Sequence, residues 1–278
     1  MYLQNGGSAR YMEIVVKYFG TTLLSKIDQL AIDTAAAKLY PSGSPSTRNR
    51  SVYTPVSAVL HFAAKRKLCE MPIIERPKQP KGRIRWLTPE EADLLIEKAS
   101  PHLRPLLIFL FYTGARLSEA LYIDWRDIDL QRAHVQFIDT KNGTDRGVPL
   151  HPRAVAALAN LEHRKGAVFR RPDGLPYVKK EKDDGGGQIK TAFKGACKRA
   201  EITDFTPHDC RHTWATWHYA ANRDLIALMK LGGWSSEKMV LRYAHVNVSS
   251  LSSSINALPW GNSGEAKKRK PKSKRKSA

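Results

Sequence analysis

The chain has 278 residues, of which 46 are Lys or Arg and 26 are Asp or Glu, so its formal net charge at pH 7 is +20. This length predicts two domains, because a domain typically has about 100–200 residues. The 42% share of hydrophobic residues excludes a wholly disordered chain. No apolar run approaches the ~20 residues of a membrane-spanning helix, and the N-terminus lacks the pattern of a secretion signal.

Positive charge is concentrated at the C-terminal end but is not confined to it. The last fifteen residues contain eight basic side chains and one acidic one, which leaves a charge of +13 on the rest of the chain. Residues 263–278 are therefore predicted to form a basic, disordered tail. Because the body is basic as well, a nucleic-acid partner is favoured over an anionic membrane.

The three cysteines, Cys69, Cys197 and Cys210, are odd in number and widely spaced. This usage is typical of a reduced protein rather than a disulfide-bonded secreted one. We therefore expect a cytoplasmic location.

Residues 1–76 have the pattern of a small helical domain. Apolar residues at helical spacing predict a short first helix, a second over Ser25–Tyr40 and a third over Thr47–Leu68. Pro55 lies inside the third segment, so a kink or two shorter helices are expected there. The proline-rich, basic stretch that follows predicts a semi-rigid linker over residues 77–86.

A second domain is predicted over residues 87–262. Thr88 and Glu91 form a capping box before an apolar run, which indicates the start of a helix. Further helices are predicted through Pro105–Leu121. From His134 to Leu150 the pattern alternates around an Asn-Gly pair, which predicts a β-hairpin.

The remainder of this domain is predicted to be mostly helical. Lys179–Gln188 is charged and glycine-rich, which favours an exposed loop. Thr206 begins another helix, and Asn222 is predicted to cap the next one, which ends at Gly232 and Gly233. The predicted fold is therefore mainly α with a small antiparallel β-sheet.

Four segments of the second domain stand out: TGARLSEAL around Arg116, DTKNGTDRGVPL around Lys141, HDCRH from His208, and LGGWSSEKMVLRYAH, which contains Tyr243. In this order and spacing they resemble the tyrosine recombinases, the phage-integrase family of site-specific DNA recombinases. The resemblance covers residues 87–248 and, more weakly, the N-terminal part. It implies a helical, DNA-binding core-binding domain followed by an α+β catalytic domain.

Cleaving DNA without a metal requires cations that neutralise the phosphate oxygens as they gain charge. Planar guanidinium groups suit this task because they donate paired hydrogen bonds to phosphate. Arg116 and Arg211 are the candidates, and the resemblance implies that they clamp the phosphate. Glu119, three residues after Arg116, is expected to hold its guanidinium in place.

Tyr243 is the candidate nucleophile. A phenol has an ordinary pKa near ~10, so it needs a cationic or basic environment to attack at neutral pH. Its helical spacing with Met239 and Val240 would also fit a core position. The match to the family's terminal motif favours the nucleophile, and His208 is implied to assist proton transfer from it.

His212 is expected to buttress the arginine or to pack in the core, and Cys210 to be a small buried side chain. The spacing of His208, Cys210 and His212 could suggest a metal site. Cys210 would, however, lie on a different helix face, and no CxxC pair occurs elsewhere in the chain. We therefore expect no metal and no cofactor.

Trp234 and Lys141 complete the set of candidate catalytic residues. The resemblance implies that the Trp234 indole N–H holds the phosphate, because it cannot exchange a proton near pH 7; core packing is the alternative. Lys141, at the hairpin tip, matches the family's general acid, which protonates the departing 5′ oxygen. A solvated lysine in a turn is the alternative there.

The resemblance implies a site-specific recombinase that cleaves and rejoins duplex DNA through a 3′-phosphotyrosine. It also implies a homo-oligomer, a tetramer on DNA, with accessory DNA-bending proteins and association with the bacterial nucleoid. Leu251, Ile255 and Leu258 would form an apolar stripe on a helix over Ser249–Trp260. That stripe would dock on a neighbouring protomer or on its own domain.

Two other functions fit the same residues. A type IB-like DNA topoisomerase would use the same phosphotyrosine chemistry to relax supercoils without a specific site. A non-catalytic DNA-binding protein could have the same fold. The complete residue set argues against the second alternative, because a protein that only binds DNA does not need Tyr243.

Overall fold

The computed structural model describes residue 4 and residues 9–80, 84–138, 145–179 and 186–244. The chain divides into two compact units, one ending at Arg83 and the other beginning at Ile84, within the predicted linker. In the part that is described, no helix is long and apolar enough to cross a membrane. Lys141, the predicted stripe over Ser249–Trp260 and the basic tail lie outside the described residues.

The first unit is helical: α1 (Ala9–Phe19), α2 (Gln29–Leu39), α3 (Pro45–Arg48) and α4 (Thr54–Ala64). The second predicted helix begins at Gln29 rather than Ser25, because the Asp28 carboxylate accepts a hydrogen bond from the Ala31 N–H and caps α2. The third predicted helix is divided by a π-helical segment, Asn49–Tyr53, just before Pro55. The hydrophobic core of this first unit includes Val15, Ile32, Ala35, Val52 and Leu60.

The second unit contains the remaining elements: α5 (Pro89–Lys98), α6 (Arg104–Thr113), α7 (Leu117–Leu121), β1 (Ile128–Asp129), β2 (His134–Phe137), β3 (Arg146–Pro149), α8 (Pro152–Ala159), α9 (Gly186–Arg199), α10 (Pro207–Asn222), α11 (Leu225–Gly232) and α12 (Glu237–Ala244). The strands form one antiparallel sheet in the order β1-β2-β3. Val135 of β2 lies opposite Val148 of β3. The predicted fold class, mainly α with a small antiparallel sheet, is confirmed.

Helix α6 forms the centre of this unit. Leu106, Leu107, Phe109, Leu110 and Phe111 are all fully buried, so the helix is covered on several sides, as an apolar sequence of this kind requires. It packs against α8 and α10. α10 therefore carries its HDCRH segment directly beside the C-terminal end of α6, where Arg116 follows.

A smaller apolar cluster joins α10 to α11 and α12. It contains Trp214, Leu228, Val240 and Tyr243, separately from the main core. α12 is thus held to the domain by this small cluster rather than by the large core around α6.

The helix boundaries confirm one predicted cap and correct two other predictions. Thr88 Oγ1 accepts from the Glu91 N–H, and the Glu91 carboxylate accepts from the Thr88 N–H at 2.8 Å, so the capping box is confirmed. Asn222 does not cap α11, because it is the last residue of α10, and Arg223, in the left-handed conformation, is the C-cap of that helix. The Asp224 carboxylate caps α11 instead. The predicted loop over Lys179–Gln188 is too long, because α9 begins at Gly186.

Candidate active site

Arg116 is placed by the turn that ends α6. Gly114 has a φ of +64°, and a Cβ at this position would lie 2.1 Å from the Trp214 ring, so only glycine fits here. The chain then becomes extended at Arg116 before α7 begins. The Arg116 N–H donates to Glu119 Oε2 at 2.8 Å, and its Nη1 donates to Glu119 Oε1 at 2.6 Å. The expected pairing of Arg116 with Glu119 is present.

Arg211 lies in the first turns of α10 and is 3% exposed. Its Nη1 donates to the Gly114 carbonyl and its Nη2 to the Gly232 carbonyl, each at 2.6 Å. The guanidinium also lies 4.0 Å above the Trp234 ring. Burial, and next the neighbouring Arg116 charge, lower the pKa of Arg211 from its ordinary value to about 9. The guanidinium is nevertheless still charged at neutral pH.

Arg146 is a residue of the site that the sequence motifs do not single out. Arg146 of β3 donates from Nη1 and Nη2 to the two oxygens of Glu119, at 3.0 and 2.6 Å. Burial, the largest single effect, raises the pKa of Glu119, but the hydrogen bonds and charge of Arg146, and then the hydrogen bonds from Arg116, together lower this pKa to about 2. Strand alternation could have pointed to Arg146, because it shares the buried face of β3 with Val148, and an inward arginine needs an acidic partner.

We call Arg116, Glu119, Arg146 and Arg211 the arginine side of the site. The cluster contains three guanidinium groups and one carboxylate, which pairs with Arg116 and Arg146, so it carries two net positive charges. Such a cluster attracts a phosphate and stabilises the additional negative charge that develops as the phosphate is attacked.

Tyr243, on α12, is 1% exposed. Its hydroxyl oxygen lies 2.6 Å from His212 Nδ1, which is a hydrogen-bond distance. Burial raises the pKa of Tyr243 to about 12, although the charge of Arg211 opposes this effect. Burial, followed by the neighbouring His208, lowers the pKa of His212 to about 4, so both partners are neutral at pH 7.

The contact with His212 was not anticipated. The resemblance implies that His208 assists proton transfer from the tyrosine, but the His208 ring contacts the His212 ring edge-on, with 4.9 Å between the ring centres. Among the described residues, no hydrogen bond joins His208 to Tyr243. Burial, and next Arg211, lower the pKa of His208. We call His208, His212 and Tyr243 the tyrosine side of the site.

Trp234 lies between the two sides. Its ring is tilted against the Tyr243 ring, with 5.7 Å between the centres, and stacks on Trp214 at 6.2 Å. The sequence-predicted residues Arg116, His208, Arg211, Trp234 and Tyr243 are therefore brought together, while Lys141 lies outside the described residues. Cys210 is fully buried. The described residues contain no cluster of three or more His, Cys, Asp or Glu side chains arranged to hold a metal ion.

The geometry is that of an α+β domain in which two arginines lie close to a buried tyrosine. Residues 85–250 match the phage integrase family. The chain belongs to this family of tyrosine recombinases, and the predicted resemblance is confirmed.

Two curated relatives show how far the similarity extends. The chain is 36% identical to the integrase of Salmonella phage P22 over 204 residues, which are 69% of this chain and 52% of that protein. It is 29% identical to the tyrosine recombinase XerC of Roseiflexus castenholzii over 186 residues, 63% of this chain and 59% of that protein. The chain thus spans between half and two thirds of the length of these relatives.

A solved structure supports the fold independently. The Tn1549 transposon integrase in complex with circular intermediate DNA aligns with 92% of this chain and 94% of its own, with a TM-score of 0.70. The two sequences are only 19% identical, so this similarity concerns the fold.

Proposed function

We propose that the protein is a site-specific DNA recombinase that cleaves and rejoins duplex DNA through a 3′-phosphotyrosine. The observation that carries this proposal is the placement of the Tyr243 hydroxyl beside an imidazole and close to a cluster with net positive charge. A tyrosine in this position has both a proton acceptor and a charged site for the phosphate that it attacks.

Arg116 and Arg211 bind the non-bridging oxygens of the scissile phosphate. Their guanidinium groups are held in place by carbonyl and carboxylate acceptors, so little reorganisation is required when the phosphate arrives. The Trp234 indole N–H adds a further donor to the phosphate.

The Tyr243 oxygen attacks phosphorus, the bond from phosphorus to the 5′ oxygen breaks, and a 3′-phosphotyrosine and a free 5′ hydroxyl result. His212 Nδ1 receives the phenolic proton, and His208, against its ring, assists the transfer. Lys141 supplies a proton to the departing 5′ oxygen. The phosphodiester energy is retained in the covalent bond, so the reaction needs neither a nucleotide nor a metal.

Tyr243 must become accessible before it can attack, because it is 1% exposed. α12 is held by the small cluster around Trp214, Leu228 and Val240. A displacement of this helix on DNA exposes the Tyr243 hydroxyl to the phosphate while the hydroxyl stays within reach of His212 Nδ1.

Recombination joins two duplexes, so we propose that four protomers act together on two DNA sites, with DNA-bending proteins as accessory partners in the bacterial nucleoid. The charge of +20 and the DNA complex of the transposon integrase with a similar fold support duplex DNA as the partner. Much of the affinity comes from phosphate contacts, so DNA binding weakens steeply as salt rises.

Covalent trapping tests the proposal. On a nicked suicide substrate carrying the recombination site, the wild type should form a protein–DNA adduct that survives denaturant, while Tyr243→Phe should form none. Binding should persist in the variant, because only a hydroxyl is removed. A chelator should leave the yield unchanged.

Three outcomes would contradict parts of this proposal. Adduct formation by Tyr243→Phe would exclude Tyr243 as the nucleophile. Loss of the adduct with a chelator would require a metal. Relaxation of supercoiled DNA that lacks the site would favour the topoisomerase alternative.

A further inference from the structure

The end of α11 is a point at which three arginines meet. The N–H groups of Gly233 and Trp234 donate to the carbonyls of Lys230 and Met229, which closes the helix in a Schellman motif. The next three carbonyl oxygens each accept from a different guanidinium: Leu231 from Arg146 Nε at 3.0 Å, Gly232 from Arg211 Nη2 at 2.6 Å, and Gly233 from Arg116 Nη2 at 3.2 Å.

This arrangement is electrostatically favourable without any substrate. The carbonyls at a helix C-terminus lack partners within the helix and carry the negative end of its dipole. They can therefore hold three cations close together. Arg116 and Arg211 are already assigned to the phosphate, but Arg146 has no assigned role.

All three nitrogens of Arg146 have hydrogen-bond partners within the protein itself. Two of its nitrogens bind Glu119 and the third binds Leu231, and its guanidinium lies 4.5 Å above the Phe137 ring. Its side chain is 8% exposed, compared with 20% for Arg116. Arg146 therefore contacts Glu119, which in turn contacts Arg116, and it acts through these two residues.

Charge balance gives Arg146 a second effect. Glu119 pairs with both Arg116 and Arg146. Without Arg146, the Glu119 charge would be matched by Arg116 alone, and Arg211 would be left as the single uncompensated cation. With Arg146 present, the cluster keeps the two positive charges that match a doubly charged phosphorane transition state.

We propose that Arg146 is a positioning residue for DNA cleavage: it fixes Glu119 and the end of α11, and so holds Arg116 in place with its positive charge available to the phosphate. This inference rests on the proposed function. It adds to the site a residue that touches neither DNA nor the nucleophile.

The test compares Arg146→Met with the matched control Arg153→Met. Arg153 also forms an ion pair, with Asp93 at 2.7 Å, and lies over the Tyr112 ring, but it is 43% exposed and belongs to none of the site's contacts. Both variants are assayed in single-turnover cleavage of a normal phosphodiester and of a neutral methylphosphonate at the same position.

On the phosphodiester, Arg146→Met should cleave about 10- to 100-fold more slowly, the usual loss when a group that supports an active-site residue is removed. Arg153→Met should stay within about threefold of wild type, as expected for an exposed ion pair. On the methylphosphonate, which has one anionic oxygen fewer, the loss caused by Arg146→Met should shrink to about threefold, because less positive charge is needed.

Equal losses on both substrates would overturn the proposal, because a merely structural residue would not distinguish them. Phosphodiester cleavage within threefold of wild type would overturn it as well. If Arg146→Met does not fold, Arg146→Gln provides the same comparison, since it also removes the positive charge but keeps an amide that can donate a hydrogen bond to Glu119. Failure of the proposed function is recognised separately, by the absence of a wild-type adduct on the phosphodiester.

Discussion

The two sides of the active site are built on different principles. On the arginine side, Arg116, Arg146 and Arg211 donate to fixed backbone carbonyls or to Glu119. On the tyrosine side, one 2.6 Å hydrogen bond joins two neutral groups, and Tyr243 is buried on an eight-residue helix. In the proposed mechanism, this difference means that the arginine side is already arranged before DNA binds, whereas Tyr243 still has to be exposed and ionised.

Arg211→Lys should have the largest effect, because it changes a guanidinium group of the arginine side itself. A lysine keeps the charge but cannot donate to the Gly114 and Gly232 carbonyls and still present a planar pair of donors to phosphate. Adduct formation should slow by about 10²- to 10³-fold, while DNA binding measured by gel shift changes little. Near-normal cleavage would mean that the geometry of this guanidinium does not matter, and the contrast between the two sides would be lost.

Gly114→Ala tests how strictly the turn under Arg116 is fixed. The new Cβ would overlap the Trp214 ring, and the alanine backbone would have to adopt a positive φ. The free energy of unfolding should therefore fall by about 3 kcal/mol. Gly166 is the matched control, because its φ is +71° and a Cβ there meets nothing within 4 Å. Gly166→Ala should cost only about 1 kcal/mol.

Thermal or denaturant unfolding of the two glycine variants measures the difference. If both variants lose the same stability, the contact of the turn with Trp214 contributes nothing, and the arginine side is less rigid than the geometry indicates. A loss confined to Gly114→Ala, together with slower cleavage, would show that Arg116 depends on this packing.

The tyrosine side should show the smallest effect, as a pH dependence. The pKa of His212 is lowered from 6.5 to about 4, so the unfolded chain takes up the proton more readily. The stability due to neutral His212 is therefore complete above about pH 6.5 and is lost as pH falls toward 4, by about 2 kcal/mol after allowance for solvent screening.

His212→Gln removes this titration while keeping a hydrogen-bond acceptor for Tyr243. Burial lowers the pKa values of His208, His218 and His102 as well, so the wild type and the variant are compared at each pH. The wild type should lose its advantage between pH 7 and pH 4.5 in denaturant unfolding. A constant difference across this range would show that His212 is not held neutral by its surroundings.

Local sequence determined much of this protein. Helix starts such as the Thr88 capping box depend on groups within three residues of one another. Gly232 and Gly233 likewise end α11 where the sequence predicts. The motif residues Arg116, Arg211 and Tyr243 could be found because their spacing in the chain carries the resemblance to the family.

Only the tertiary structure decided which groups meet. The hydrogen bond between Arg116 and Gly233 spans 117 residues, that between Arg146 and Leu231 spans 85, and that between His212 and Tyr243 spans 31. Periodicity and capping report only on neighbours within a few residues, so they cannot assign such pairs. The packing of α10, α11, α12 and β3 brings three guanidinium groups to one helix end and places His212, rather than His208, against Tyr243.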